Sequence, residues 1–372
     1  MSNRKPPRRA WLKVAAASAG TGAAAAAKAQ GRRPIRLRFQ SMWPPQDILH
    51  EYANDFARKV NDMTAGRLQL ELVPAGSLAP TQELLEAVAD GRVDAAHGVV
   101  DAWYRRHPAL GLWGSGPAFG MDPNMVLSWH YYGGGRQLLE AVYRELGLLV
   151  QSFLYGPMPT QPLGWFERPL NRSEDLRGMR MRSSGLAEEL FRSMGAAMHS
   201  LEAREIVPAL EQGRLDAAEY NNASSDRALG LPAVAAACML RSFHQPSAQF
   251  EVLFNRRRFD SLGPDLKAII EFAVQAASAE MSWKAIDRYS RDYLEMRERK
   301  AVRFVPTPEP ILRAQLAAWD KVVAGAGADP LFRRVQESMK AYARRCGGWQ
   351  NDTTVDHRIA YQHYFGKSAP RN

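Results

Sequence analysis

Apolar and polar residues alternate at the start of the ordered pattern: Ile35, Leu37 and Phe39 are interleaved with Arg36, Arg38 and Gln40. A period of two predicts a half-buried strand, ended by Pro44-Pro45. Ile48, Tyr52, Phe56, Val60 and Met63 then recur at helical spacing up to Gly66. Leu68, Leu70 and Leu72 alternate again. A helix over Pro80–Asp90, closed by Gly91, leads into a further strand over Val93–Ala96. The order β-α-β-α-β marks a doubly wound α/β unit.

The pattern returns with identity. Glu83–His97 reads ELLEAVADGRVDAAH and Glu205–Glu219 reads EIVPALEQGRLDAAE, at a constant offset of 122 residues. Each copy predicts a helix stopped by glycine and a short strand entering the core. Chance in an alanine-rich chain is the competing explanation, and the matched spacing of Gly, Arg and Asp argues against it. Around the second copy, Gly178–Ser183 and Ala197–Leu201 read as strands and Ala187–Met194 as a helix. Two such lobes on one chain enclose a cleft, where ligands bind. The last third differs. Asp265–Lys300 holds no Pro or Gly, and a helix of that length spans about 54 Å, more than one lobe. Pro306, Pro308 and Pro310 end it, and Leu312–Val323 continues as a shorter helix. The expected division is 30–157 for lobe 1, 158–246 for lobe 2, 247–263 returning to lobe 1, 264–300 for the long helix and 301–372 for a helical extension.

Composition narrows the class. With 372 residues, 46% hydrophobic and 24% charged, the chain is neither collagen-like, disordered nor multi-span. The formal charge of +10 suggests nucleic acid until its distribution is seen. Arg4, Lys5, Arg8, Arg9, Lys13 and Lys28 carry six positive charges within 1–29, where no acid occurs; beyond them 43 basic residues face 39 acidic ones. A nucleic-acid partner is therefore not expected. The stretch 1–29 reads as an export signal: Arg8-Arg9, an Ala/Gly/Ser run from Val14 to Ala27, then Ala27-Lys28-Ala29. The adjacent arginines resemble the twin-arginine type, with a basic tail before an alanine helix as the alternative. The expected mature protein is soluble, starts near Gln30 and sits in the periplasm.

Chemistry of the catalytic kind finds few handles. The two cysteines, Cys238 and Cys346, allow one disulfide at most, and Cys238 in its apolar stretch reads as a buried small hydrophobe. No CxxC and no HExxH occurs, and His97, His107, His130, His199 and His244 show no ligand spacing. Gly133-Gly134-Gly135 reads as a turn between helices. The run Arg256-Arg257-Arg258 reads as solvated.

Asp175-Leu176-Arg177-Gly178-Met179-Arg180-Met181-Arg182 resembles the D-L-x-G-x-K/R-x-R segment of the solute-binding proteins of TRAP transporters, the DctP-type family. Ser41-Met42-Trp43-Pro44, Pro74-Ala75-Gly76, Pro108-Ala109-Leu110, Tyr131–Gly135, QPLGWF over 161–166 and DAAEY over 216–220 resemble, in order, its 2-oxo acid-binding branch. The resemblance implies an α/β two-lobed periplasmic binding protein fold with a long C-terminal helix spanning both lobes. It also implies a small organic acid as ligand, TRAP membrane subunits as partners, and no enzymatic activity.

Carried over residue by residue, the resemblance gives Arg182 the ligand carboxylate, which guanidinium grips through paired hydrogen bonds. Alternation alone leaves Arg180 equally placed. Gln161, Glu219 and the backbone of Tyr220 match the cation ligands, and oxygen donors of this kind suit Na⁺ or Ca²⁺. Arg182, Glu219 and a monocarboxylate sum to −1, so one bridging cation would restore balance. Tyr220 stands where the 2-oxo acid binders carry tryptophan, with Asn221 and Asn222 behind it, which makes larger hydroxy or aromatic acids an alternative. Trp43 and Trp165 are candidates for the pocket wall, with plain core as the alternative, and Gln245 is a candidate contact. A homodimer is expected from the long helix, through Phe272, Ile286, Tyr293 and Met296. An exported enzyme and a sensor are the rival readings.

Overall fold

A computed structural model describes residues 33–156, 158–299 and 302–366; the expected signal over 1–29 lies outside the described residues. In chain order, lobe 1 begins with β1 (Ile35–Ser41), α1 (Ile48–Met63), β2 (Leu68–Val73), α2 (Leu84–Ala89) and β3 (Ala95–Val99). It continues through α3 (Pro123–Tyr132), α4 (Gly135–Glu145) and β4 (Val150–Tyr155). Lobe 2 contains β5 (Gly164–Phe166), β6 (Arg180–Arg182), α5 (Ala187–Ser193), β7 (Ala197–His199), α6 (Ala203–Glu211) and β8 (Ala217–Ala218). After two short helices, α7 (Ala223–Leu229) and α8 (Leu231–Val234), comes β9 (Ala237–Leu240). Then follow β10 (Phe250–Asn255), α9 (Arg256–Asp260), α10 (Pro264–Glu298), β11 (Arg303–Pro306), α11 (Glu309–Ala326), α12 (Pro330–Thr353) and α13 (His357–Phe365).

Two sheets result. The first has strand order β2-β1-β3-β10-β4, the second β11-β9-β5-β8-β6-β7. β10 returns to lobe 1 and runs antiparallel between β3 and β4. The alternation in β1 holds from Arg36 to Phe39, with Leu37 and Phe39 buried and Arg36 and Arg38 exposed, whereas Ile35 at the strand's start is exposed and Gln40 is buried where the strand enters the protein. The segment 301–372, expected as a helical extension, opens with a strand not expected there: β11 lies parallel beside β9 and completes the second sheet. Pro306 and Pro308 favour extended backbone there, and the helix starts only at Glu309.

The repeat is structural. Gly91 and Gly213 both adopt positive φ, 86° and 63°, just beyond α2 and α6. Asp94 and Asp216 then make equivalent bonds. Asp94 Oδ2 accepts from the Arg38 backbone N–H at 2.9 Å and its Nε at 3.3 Å. Asp216 Oδ2 accepts from the Arg180 backbone N–H at 2.8 Å and its Nε at 3.0 Å. In both lobes the aspartate pins its strand to the neighbouring one.

α10 ties the lobes together. Lys284 on it meets Glu51 of α1 at 2.9 Å, while Asp292 and Glu295 take Arg227 of α7 at 2.8 and 2.6 Å. Of the four residues expected to face a second chain, Phe272 and Ile286 are exposed, but Met296 is buried and Tyr293 packs edge-on against Phe304. The C-terminal end of the helix thus covers lobe 2 of its own chain. Cys238 and Cys346 are both free, the former buried in β9.

Candidate functional site

The C-terminal ends of β1, β3, β6 and β8 converge on a cavity of about 1130 Å³ between the lobes. Carboxyl ends of parallel strands are the usual ligand-binding edge of such sheets. Lobe 1 contributes Trp43, the loop 75–82 and the turn containing Asp101; lobe 2 contributes Arg182, Gly185 and Tyr220. Gln161, Asn221 and Gln245 also line it. Gln40 at the end of β1 shapes the loop, donating to the Ala79 carbonyl and accepting from the Leu78 and Ala79 N–H groups.

The two arginines of β6 part company. Arg180, at the outer end, is exposed and committed to Asp216. Arg182, at the inner end, is buried in the cavity wall. Its Nη1 donates to the Glu219 carbonyl at 2.7 Å and its Nε to the Leu201 carbonyl at 3.3 Å. A guanidinium has five N–H donors, so most remain for a ligand. The Glu219 carboxylate lies 3.8 Å from Nη1 and accepts from Ser183 Oγ at 3.1 Å. Burial pushes its pKa up to about 7, against the pull of Arg182 and Ser183.

Unsatisfied oxygens mark the same place. Glu219 Oε1, Gln161 Oε1, Gln245 Oε1 and Asp101 Oδ1 are buried with no hydrogen-bond partner. The Gln161 amide donates to Asn221 Oδ1 at 3.1 Å and the Gln245 amide to Asp101 Oδ2 at 3.2 Å, which turns both carbonyl oxygens away from those partners. A buried, unpaired acceptor is costly, and a bound cation or donor removes the cost. Gln161 and Glu219 supply hard oxygens and fit Na⁺ or Ca²⁺. No cluster of three or more His, Cys, Asp or Glu side chains suited to a metal occurs among the described residues.

Tyr220 lies under the Arg182 guanidinium, 5.7 Å from ring centroid to Cζ. Its hydroxyl crosses to lobe 1 and donates to Asp47 Oδ2 at 2.9 Å, while Ser225 Oγ donates to Asp47 Oδ1 at 2.7 Å. Asp47 also caps α1 through the Leu49 N–H. Trp43 lines the cavity and packs edge-on against His97 and Phe250. Two candidates stand elsewhere. Trp165 is buried behind β8, its Nε1 donating to Asp226 at 2.7 Å. Asn222 caps α7, its side chain accepting from the Ser224 and Ser225 N–H groups. Neither lines the cavity.

Residues that sequence reasoning missed join the lobes at the cavity edge. Glu188 is buried and accepts from Tyr104 at 3.0 Å and Arg105 at 2.8 Å. The Leu186 N–H donates to Ser115 Oγ at 2.7 Å. Gly185, at φ 68°, sits so close that a Cβ there would lie 2.2 Å from Ser115 Oγ and 2.7 Å from Asp101 Oδ2. The lone Asp101 within Val99-Val100-Asp101-Ala102-Trp103 was a readable signal, since an acid in an apolar run needs a reason to be there.

The model of bacterial extracellular solute-binding protein, family 7 (DctP), matches residues 39–328. The monocarboxylate 2-oxoacid-binding periplasmic protein of Nostoc sp. is 27% identical over 335 residues, 90% of this chain and 90% of the relative. A TRAP transporter solute-binding protein from Bordetella bronchiseptica, a mixed-occupancy dimer with copurified calcium and picolinate, has a TM-score of 0.83 at 23% identity, covering 90% of this chain and 97% of that one. The TRAP periplasmic solute-binding protein of Pseudoalteromonas atlantica, with bound sodium and pyruvate, has a TM-score of 0.81 at 25% identity, covering 89% and 99%. A family match over most of the chain thus meets a two-lobed fold with a buried arginine in its cleft: the chain belongs to the DctP family of bacterial extracellular solute-binding proteins.

Proposed function

We propose that this chain is the periplasmic receptor of a TRAP transporter, closing on a small 2-oxo or 2-hydroxy monocarboxylate and handing it to membrane subunits. It acts as a carrier and not as an enzyme. The observation that carries this reading is Arg182: a buried cation in the cavity wall, with donors to spare and one carboxylate 3.8 Å away. The ligand carboxylate takes those donors, and a Na⁺ or Ca²⁺ held by Gln161, Glu219 and the Tyr220 backbone would balance the charge. The sodium and pyruvate of the Pseudoalteromonas protein favour the same chemistry. Residues 1–29 serve as the twin-arginine export signal. A larger or aromatic carboxylate is the second reading, favoured by the roughly 1130 Å³ cavity and the Tyr220 phenol.

The test is binding of pyruvate and lactate to the mature protein by calorimetry and thermal shift, since a ligand of the native state raises its melting temperature. Arg182→Ala should abolish the shift, a loss of about 3 kcal/mol or more. Undiminished affinity in that variant removes Arg182 from the site. Dialysis against chelator in sodium-free buffer should weaken binding, and equal affinity there removes the cation.

A homodimer belongs to the same proposal. Every residue of α13 is exposed, including Ile359, Tyr361, Tyr364 and Phe365. An apolar face of that kind suits a second chain, and exchange of C-terminal helices would close on itself as a two-fold pair. Light scattering that gives the mass of one chain, with and without ligand, rules it out.

A further inference from the structure

Asp47 has more partners than a helix cap needs. Its carboxylate accepts from the Leu49 N–H at 3.0 Å, which is enough to start α1. It also accepts from Ser225 Oγ at 2.7 Å and from the Tyr220 hydroxyl at 2.9 Å, and both of these belong to lobe 2. All three side chains are more than nine-tenths buried. A carboxylate at that depth is costly unless its oxygens are bonded, and two of its three donors come from the other lobe.

Tyr220 is where this network meets the site. It lines the cavity and Asp47 does not, so the phenol turns its hydroxyl toward α1 and leaves its ring in the wall. Arg182 Cζ lies 5.7 Å from the centre of that ring, within the range at which an aromatic face attracts a guanidinium. Tyr220 also follows Glu219 in the chain, and the Glu219 carbonyl takes Arg182 Nη1 at 2.7 Å. Holding the phenol therefore steadies two of the contacts that set the guanidinium. We propose that Asp47 and Tyr220 are positioning residues for the ligand: lobe 1 holds the Tyr220 hydroxyl, and the held residue keeps Arg182 turned to the ligand carboxylate. This rests on the carboxylate reading of the cleft and deepens it. A phenylalanine at 220 would present the same ring to the cavity, so affinity lost with the hydroxyl is lost through the posture of Arg182.

The experiment uses the mature protein with pyruvate, lactate and phenylpyruvate as probes, by calorimetry in buffer containing both sodium and calcium. Tyr220→Phe should weaken the tightest of the three about tenfold, the lower end for a hydrogen bond to a charged group. Asp47→Ser keeps a side-chain cap for α1 but is too short to hold Tyr220, and should give a similar loss. Removing a negative charge from the cleft would by itself favour an anion, so a loss in that variant speaks for posture and against the field. The double variant should bind within about threefold of Tyr220→Phe, since both changes break one bond. A purely structural network would lower the melting temperature and leave the affinity of the folded protein unchanged. A loss below about threefold in Tyr220→Phe therefore overturns the inference, and that variant decides the matter if Asp47→Ser does not fold. Losses that multiply in the double variant overturn it too. A parent protein that binds none of the three acids overturns it together with the carboxylate reading.

Discussion

The two copies of the repeat share a scaffold, and their last residues differ in charge and in role. Through Asp94 and Asp216 they pin adjacent strands by the same pair of hydrogen bonds. Three residues further on, lobe 1 has His97 and lobe 2 has Glu219. His97 is wholly buried among Trp43, Tyr155 and Phe250, with Tyr155 on its Nε2, and burial lowers its pKa to about 3. It is neutral and part of the core. Glu219 is equally buried, yet it keeps an unpartnered oxygen beside Arg182. The shared glycine and aspartate mark what holds each lobe together; the His97/Glu219 difference separates packing from binding.

Exchange at that position should give the largest contrast. His97→Ala should cost about 2–3 kcal/mol of stability through the cavity it leaves, seen as a lower melting temperature, with ligand affinity little changed below the transition. Glu219→Gln should keep or raise the melting temperature of the ligand-free protein, since it removes a buried acid whose ionisation costs stability, and weaken cation-dependent binding by about 10- to 100-fold. If the two variants show the same profile, the distinction between core and site is wrong.

Acid and base should then act on the lobes in opposite senses. Glu219 titrates near 7 in the folded protein, above its unfolded value, so its contribution is present at low pH and is lost as pH rises from about 4.5 through 7. The histidine runs the other way: stability present above about 6.5 is lost as pH falls toward 3. Cation-dependent binding needs the carboxylate and should strengthen as pH rises through 7. Unfolding curves of Glu219→Gln should show a shallower first slope and keep the second. The slope that remains belongs to Asp226 and Glu251, whose burial raises their pKa values to about 8 and about 7, and an undiminished slope in the variant would remove Glu219 from the effect.

The smallest effect concerns the shared scaffold. Asp94→Asn should destabilise by about 2 kcal/mol, since its carboxylate is almost fully buried and also takes Arg258 at 2.9 Å. Asp216→Asn should lose less, because its side chain is 39% exposed and solvent screens the pair. Denaturant midpoints of the two variants measure the difference.

Much of this was legible in the sequence for a physical reason. Helices stopped by glycine and alternating strands are local patterns, so the lobes, the repeat and the long helix followed from spacing. The wall of the cavity did not. Trp165 sits one residue from the end of a three-residue strand, too short for alternation to say which side faces the ligand. Asn222 is a cap and not a contact, and Asn-Ala-Ser-Ser-Asp is a helix-start signal in its own right. Asp47, Glu188 and Asp101 act on the opposite lobe, across separations no local pattern encodes.

Gly185 carries a kinetic meaning. The two halves meet where a methyl group is missing, and any larger residue there would act as a wedge. Gly185→Ala would push on Ser115 and Asp101 and hold the two halves apart, lowering apparent affinity, because only the shut fraction of molecules can retain a ligand. In the transport role proposed above, release to membrane subunits is the other side of that balance. A receptor in that role would have to let go as readily as it grips, and the bare backbone at Gly185 would set how firmly the two halves rest together.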